Sequence, residues 1–426
     1  MTQLALFDEP AKPTYKDNTS GSFADNTRLP VHRWFRYSAG FSGAWAEYAI
    51  CNHFGGDPKV FDPFAGSGTS LIAAEQCGVE AWGIDPHPFI SRVALAKLAY
   101  RSSPKTFVQL SRKVIATARN HCPSLEQYPP IVRKCYSDEA LRRLDCLRYG
   151  VTKADDGSGS ARLAWLALVA ILRPTSFVGT ANCQYLLPKQ RKGRTKEPFS
   201  AFGEMVNLFH SDMIATNDVS GPRARFTLDD ARLCDTIPPD RFNAVITSPP
   251  YPNNYDYADA TRLELAFFGE VRTWSDLQPV VRRHLLRSCT QHVPSREVDL
   301  SAVLNSRELD PIRGEIEQVC EELGRVRLTK GGKKNYHNMI ACYFLDLARA
   351  WQSLRRVCSS PSTVCFVIGD SAPYGVYVPV MDWMGSLACA AGFDSYSFER
   401  IRARNIKWKN RKHRVPLCEG RLWVKG

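Results

Sequence analysis

The segment Thr247-Ser248-Pro249-Pro250-Tyr251 follows a short apolar run and places a hydroxyl, two prolines and an aromatic ring within five residues. Two consecutive prolines fix φ at both positions and remove two N–H donors, so the turn is stiff and its carbonyls project as uncommitted acceptors. Rigid acceptors suit a planar amino group. The Ser248 hydroxyl and the Pro249 carbonyl can take the two hydrogens of an exocyclic –NH₂, shifting electron density so that its nitrogen can attack an electrophilic methyl. Tyr251 would stack on the ring that carries the amino group. The competing reading is a proline-rich surface turn with a chance tyrosine.

A second constellation lies upstream, Asp62-Pro63-Phe64-Ala65-Gly66-Ser67-Gly68-Thr69. Its glycines let backbone N–H groups approach an anionic group, and a helix opening at Thr69 adds a favourable dipole. Position 71 is Leu where a dinucleotide fingerprint has its third glycine, which disfavours a nicotinamide cofactor. No G-x-x-x-x-G-K-[ST] loop is present, which disfavours nucleotide hydrolysis. Asp85, followed by Pro86, ends the next apolar run and is placed for ribose hydroxyls. Asp230, followed by Ala231, ends a third and is placed for an adenine amino group. Alone, the turn could be purely structural and each Asp a helix cap. Three strand ends on one carboxyl edge, turned toward an adenosine, are more specific.

Positioning these residues takes a particular series of elements. Apolar runs at 59–62, 79–84, 225–230, 242–248, 363–369 and 395–402 read as strands, and 44–53, 69–77, 90–100, 161–172, 338–357 and 380–391 as helices. Strand and helix alternate, so the predicted fold is α/β: a Rossmann-like, doubly wound, mostly parallel sheet. Two largely helical insertions interrupt it. The predicted division is a flexible arm over 1–25, a catalytic domain from 26–101, 226–269 and 336–426, an insertion at 102–225 as candidate target-recognition region, and a second, charged helical insertion at 270–335.

In order, FDPFAGSGT, GIDPHPF, DDAR and TSPPY resemble the S-adenosylmethionine-dependent amino-methyltransferases that make N4-methylcytosine or N6-methyladenine in DNA, which have the class I methyltransferase fold. The resemblance covers residues 30–100 and 225–405. It implies S-adenosylmethionine as cofactor, with its methionine part on Asp62, Phe64, Gly66 and Gly68 and the neighbouring Ala65 and Thr69. The ribose falls to Asp85 beside Pro86, and the adenine to Asp230 beside Ala231. Catalysis falls to Ser248, Pro249, Pro250 and Tyr251, and Ser at the first position leans toward cytosine N4 over adenine N6. The aromatic stretch from His32 to Ser42 resembles the segment that closes over the cofactor's methionine; an aromatic stretch packed on the sheet is the alternative. This sequence departs from the family pattern in carrying a long insertion between Asp85 and Asp230 and another after the Ser-Pro-Pro-Tyr turn. The implied partner is double-stranded DNA with its target base flipped out, alongside cognate restriction or defence proteins. Direct transfer needs no cysteine nucleophile. An RNA base amino-methyltransferase and a catalytically silent nucleic-acid-binding protein are the rival readings.

Composition agrees with a polyanionic partner: 56 Lys+Arg against 43 Asp+Glu give the 426-residue chain a net charge of +13. Basic clusters at 189–196, 325–334 and 402–414 supply DNA-backbone candidates Lys189, Arg191, Lys192, Arg194, Lys333, Lys334, Arg404, Lys407, Lys409 and Arg411. The 14 cysteines show no Cys-x-x-Cys pair, so reduced core thiols are expected and no metal site. The longest apolar run, 163–172, is far short of the ~20 residues a membrane helix needs. With no secretory signal pattern at the start, a cytoplasmic location without membrane association is expected.

Overall fold

The computed structural model describes residues 23–37, 40–178, 194–253, 255–293, 298–404 and 415–426. Most of the expected arm, 1–25, lies outside these. Seven strands form one sheet: β1 (Val60–Asp62), β2 (Ala81–Ile84), β3 (Arg225–Thr227), β4 (Phe242–Thr247), β5 (Cys358–Gly369), β6 (Ser395–Arg404) and β7 (Leu417–Lys425). Their order is β3-β2-β1-β4-β5-β7-β6. The first five run parallel, and β7 is antiparallel to both β5 and β6. The expected mixed α/β fold with a mostly parallel sheet is therefore present, as a class I methyltransferase fold would have it. One strand lies outside the sequence pattern. β7 inserts between β5 and the segment read as the sheet's last strand.

Side chains along the central strands alternate between two apolar cores, save at the irregularity between Phe242 and Ala244 of β4. Val60, Ala244, Ile246, Cys365 and Val367 pack into one; Phe61, Val245, Val364, Phe366 and Ile368 pack into the other. A strand buried on both faces needs helices above and below. Helices α1 (Gly43–Asn52), α2 (Thr69–Gln76) and α3 (Pro88–Lys97) feed residues into the first core. Between β2 and β3 the chain adds α4 (Pro104–Arg119), α5 (Pro130–Cys135), α6 (Asp138–Ala154), α7 (Gly159–Leu172) and α8 (Pro198–Ala215), whose buried faces extend that same core.

After β4 come short helices α9 (Tyr257–Ala260), α10 (Arg262–Phe267), α11 (Leu277–Val280) and α12 (Leu300–Leu304), then the longer α13 (Arg313–Arg327). The second core takes α13, α14 (Tyr336–Val357) and α15 (Val380–Ala390). α14 shows why: Ile340, Tyr343, Phe344, Leu347, Trp351 and Leu354 recur at helical spacing and all are buried. No helix among the described residues is long and apolar enough to cross a membrane.

Strand order reverses at β1, whose neighbours are β2 on one side and β4 on the other. In open α/β sheets the crevice at such a switch point, outside the carboxyl ends of the strands, is where ligands bind. Asp62 ends β1, Asp85 follows β2, and Ser248 follows β4. The backbone itself thus brings the separate sequence motifs to one place.

Candidate active site

A cavity opens at this switch point, lined by Asp62, Phe64, Ala65, Gly66, Ser67, Thr69, Asp85, Pro86, Asp230, Ala231, Ser248 and Pro250. The glycine turn builds its floor. Gly66 and Gly68 hold φ of +49° and +84°, left-handed values that a side chain resists, and Gly68 is the residue from which α2 starts. Gly68, Pro249 and Tyr251 adjoin lining residues in the chain without lining the cavity themselves.

Asp62 is buried, and its carboxylate faces inward, accepting hydrogen bonds from Phe64 N–H (3.0 Å), Ser70 Oγ and Thr247 Oγ1. It therefore ties the ends of β1 and β4 to the first turn of α2. Burial pushes its pKa up to about 6 against those three hydrogen bonds. Asp85 accepts the N–H groups of Gly66 (3.0 Å) and His87 (2.9 Å), one on each oxygen, and burial likewise raises it to about 6. Asp230 is gripped by Arg232, whose Nε lies 2.9 and 3.0 Å from the two carboxylate oxygens; the same arginine reaches Asp346 at 3.4 Å.

The proline turn departs from its expected form in one respect. The Pro250 carbonyl is not an uncommitted acceptor, because the buried Tyr343 hydroxyl of α14 donates to it at 2.9 Å. Stiffness of the turn thus has a tertiary source as well as a local one. Among the described residues the Pro249 carbonyl has no such donor. Tyr251 donates its hydroxyl to the Val367 carbonyl of β5 at 3.3 Å, and burial raises its pKa. Ser371 Oγ donates to the Pro252 carbonyl at 2.6 Å, joining the end of β5 to the same turn.

Arg404 does not sit on an open basic face. Its guanidinium lies 4.9 Å from the centre of the Tyr251 ring and donates to the Asp370 carbonyl at 2.8 Å. Lys333, Lys334 and Arg194 are exposed, whereas Lys189, Arg191, Lys192, Lys407, Lys409 and Arg411 fall outside the described residues.

The aromatic stretch singled out from sequence, 32–42, supplies part of the lining, whereas His87, Tyr257, Leu285 and Leu286 were not singled out. Tyr37, Gly40 and Phe41 come from the aromatic stretch and form one wall; His87, Tyr257, Leu285 and Leu286 complete it. His87 is buried and held down at about 4 by burial, so its ring is neutral. Its Nδ1 accepts from Ile90 N–H, which leaves Nε2–H to donate to Thr261 Oγ1 at 3.0 Å. Asp256 caps α9 and so places Tyr257. Burial opposes its charge, but His292 and Arg282 outweigh burial and hold it at about 2. Asp256, Cys289 and His292 carry donor atoms within 4.8 Å of one another. A metal there would have to displace the Arg282 guanidinium, 2.7 Å from Asp256, and deprotonate a thiol that burial has pushed up to about 12. The arrangement is an ion-pair network.

No family model matches the chain. Among curated proteins it is similar to the type II methyltransferase M.BsoBI of Geobacillus stearothermophilus, with 26% identity over an alignment covering 95% of this chain and 87% of that protein. It is 25% identical to the type II methyltransferase M.AvaI of Nostoc sp. and of Anabaena variabilis, covering 88% of this chain and 81% of theirs. A 93-residue stretch is 31% identical to type II methyltransferase M.MjaII of Methanocaldococcus jannaschii, 21% of this chain and 18% of that one.

Proposed function

We propose, from this similarity to type II methyltransferases along most of the chain, that the protein is an S-adenosylmethionine-dependent DNA methyltransferase of a restriction-modification system. Its target is the exocyclic N4 of a flipped-out cytosine in double-stranded DNA. The observation that carries the reading is the meeting of Ser248 and Pro250 with Gly66 and Asp85 in one cavity. A donor turn and an acceptor turn sharing a crevice is what direct transfer requires. The residues also suit this cofactor. Three carboxylates, Asp62, Asp85 and Asp230, surround the cavity, and a ligand with a sulfonium, an ammonium and one carboxylate is a net cation. Phe41, Phe64, Leu285 and Leu286 offer apolar wall to an adenine.

When bound, the cofactor would supply a methyl activated by positive sulfur. The protein's part is geometric and electrostatic. Gly66 and Gly68 keep the turn low enough for close approach, and Asp62 locks that turn to β4. Asp85 would hold ribose hydroxyls, and Ala231 with Asp230 would border the adenine. Ser248 Oγ and the Pro249 carbonyl would accept the two amino hydrogens and so orient the amino nitrogen, and the Ser248 hydroxyl would pass the proton that nitrogen loses on to solvent. Tyr251 stacks on the flipped base. Digestion of duplex DNA to nucleosides after incubation with isotope-labelled cofactor, read by mass spectrometry, tests this. Labelled N4-methylcytosine is expected. N6-methyladenine would overturn the base, and label confined to a parallel RNA sample would overturn the substrate.

A further inference from the structure

The aromatic wall of the cavity is held by a residue from the other end of the first insertion. Asp212 lies on α8, 181 residues from Val31, and is 1% exposed. Its carboxylate accepts four donors from one short segment: Val31 N–H at 3.0 Å, the Trp34 indole N–H at 2.8 Å, Arg33 Nε at 3.0 Å and Arg33 Nη2. One turn earlier on the same helix face, Phe209 stacks on Trp34 with ring centres 4.2 Å apart. Val31 has φ of +63°, a value that a β-branched residue adopts only when its surroundings force it. At that same residue the N–H is held by the Asp212 carboxylate.

The far end of the segment is pinned as well. Asn26 donates to the Phe41 carbonyl at 2.8 Å and accepts the Gly43 N–H at 2.8 Å. Between the two anchors run the cavity-lining Tyr37, Gly40 and Phe41. Tyr37 lies directly against the glycine turn, since a methyl added at Gly66 would come within 3.0 Å of its ring. Where the segment sits therefore decides the depth of the cavity over Gly66.

We propose that Asp212 is a positioning residue for the cofactor: by clamping Val31, Arg33 and Trp34 it fixes the strap that carries Tyr37 and Phe41 over the glycine turn. The insertion then serves the cofactor site through α8, whatever else it contacts. This inference rests on the reading of the cavity as an S-adenosylmethionine site.

The test uses the full chain with Asp212→Asn and Asp212→Ala. The Asn variant keeps acceptors for Val31 and Trp34 while losing the charge that holds Arg33, so it also serves where the Ala variant fails to fold. Calorimetric titration with S-adenosylmethionine and duplex methylation kinetics are measured together. About a tenfold or greater rise in Kd and KM for the cofactor is expected, with kcat at saturating cofactor within about threefold of wild type. A merely structural role would lower kcat and leave that split unseen. Unchanged cofactor affinity in both variants, with wild type binding normally, overturns the clamp. If wild type itself fails to bind S-adenosylmethionine, the functional reading falls instead, and trypsin cleavage at the exposed Arg36 decides the clamp separately. Faster cleavage in the Asn variant than in wild type supports it, and equal rates overturn it.

Discussion

Asp62 and Asp85 show what a motif leaves unsaid about its own residues. The spacing placed both at strand ends, but it could not reveal that Asp62 spends its carboxylate on Phe64, Ser70 and Thr247, because hydrogen-bond direction depends on side chains 185 residues apart. Both acids are raised to about 6 by burial, so the fold on its own favours their neutral forms. The sign follows. Above pH 6 the ionised pair costs stability, and that cost is relieved as pH falls from 6 toward the ordinary carboxylate value near 4. Binding a cation demands the ionised forms. Affinity for S-adenosylmethionine should thus be flat above about pH 7 and weaken below 6, by up to about tenfold per pH unit for each acid protonated. Titrations at pH 5, 6 and 7.5 check it, and affinity constant down to pH 5 would refute it. Tyr251 can be probed through its ring. Tyr251→Phe should keep most methyl transfer, whereas Tyr251→Ala should lose roughly 5- to 150-fold, the worth of one base stacked on an aromatic ring, with cofactor affinity unchanged. Kinetics on one duplex substrate distinguish the two variants, and equal rates would remove the stacking role.

Most elements were legible because their patterns are two-sided or one-faced without ambiguity. β1 and β4 are short apolar runs bounded by turns, and α14, 22 residues long, carries one apolar stripe at helical spacing. β7 was missed for a physical reason. Glu419 and Arg421 alternate with Cys418, Gly420 and Leu422, so the strand reads as charged, yet both charges are nearly buried, paired to Arg402 and Glu399 of β6. Charge satisfied across a sheet looks, in one dimension, like charge left in water. The same blindness hid the Arg173–Glu264 pair, which joins the end of α7 to α10 with side chains 6% and 1% exposed. Removing one partner strands the other in the core, so Arg173→Met should destabilise the protein by about 3–5 kcal/mol. Restoring neutrality with Arg173→Met and Glu264→Leu together should recover much of that loss. Urea melts of the single and double variants measure both, and a single variant as stable as wild type would show that the pair holds nothing.

Over the whole molecule, charge is divided by place. A chain with net charge +13 keeps three carboxylates around its cavity, a division of charge that suits the proposed cationic cofactor inside and a polyanion outside. The total and the clusters can be read in one dimension, but which cations face solvent depends on tertiary packing. Lys333 and Lys334 are exposed on the loop before α14, whereas Arg404 is folded over Tyr251 with its side chain 16% exposed. These placements predict different consequences. Neutralising Lys333 and Lys334 to Ala should weaken binding to any duplex alike, and lower the dependence of log affinity on log salt by about 1 for each phosphate they neutralise. Arg404→Ala should leave the salt dependence nearly unchanged and instead lower methyl transfer, because what it touches is the Tyr251 ring proposed to stack on the base. Duplex binding from 50 to 200 mM salt, set beside single-turnover methylation, separates the two effects. A full unit of salt dependence lost in the Arg404 variant, with transfer intact, would return that arginine to the DNA backbone and leave Tyr251 without its cationic partner.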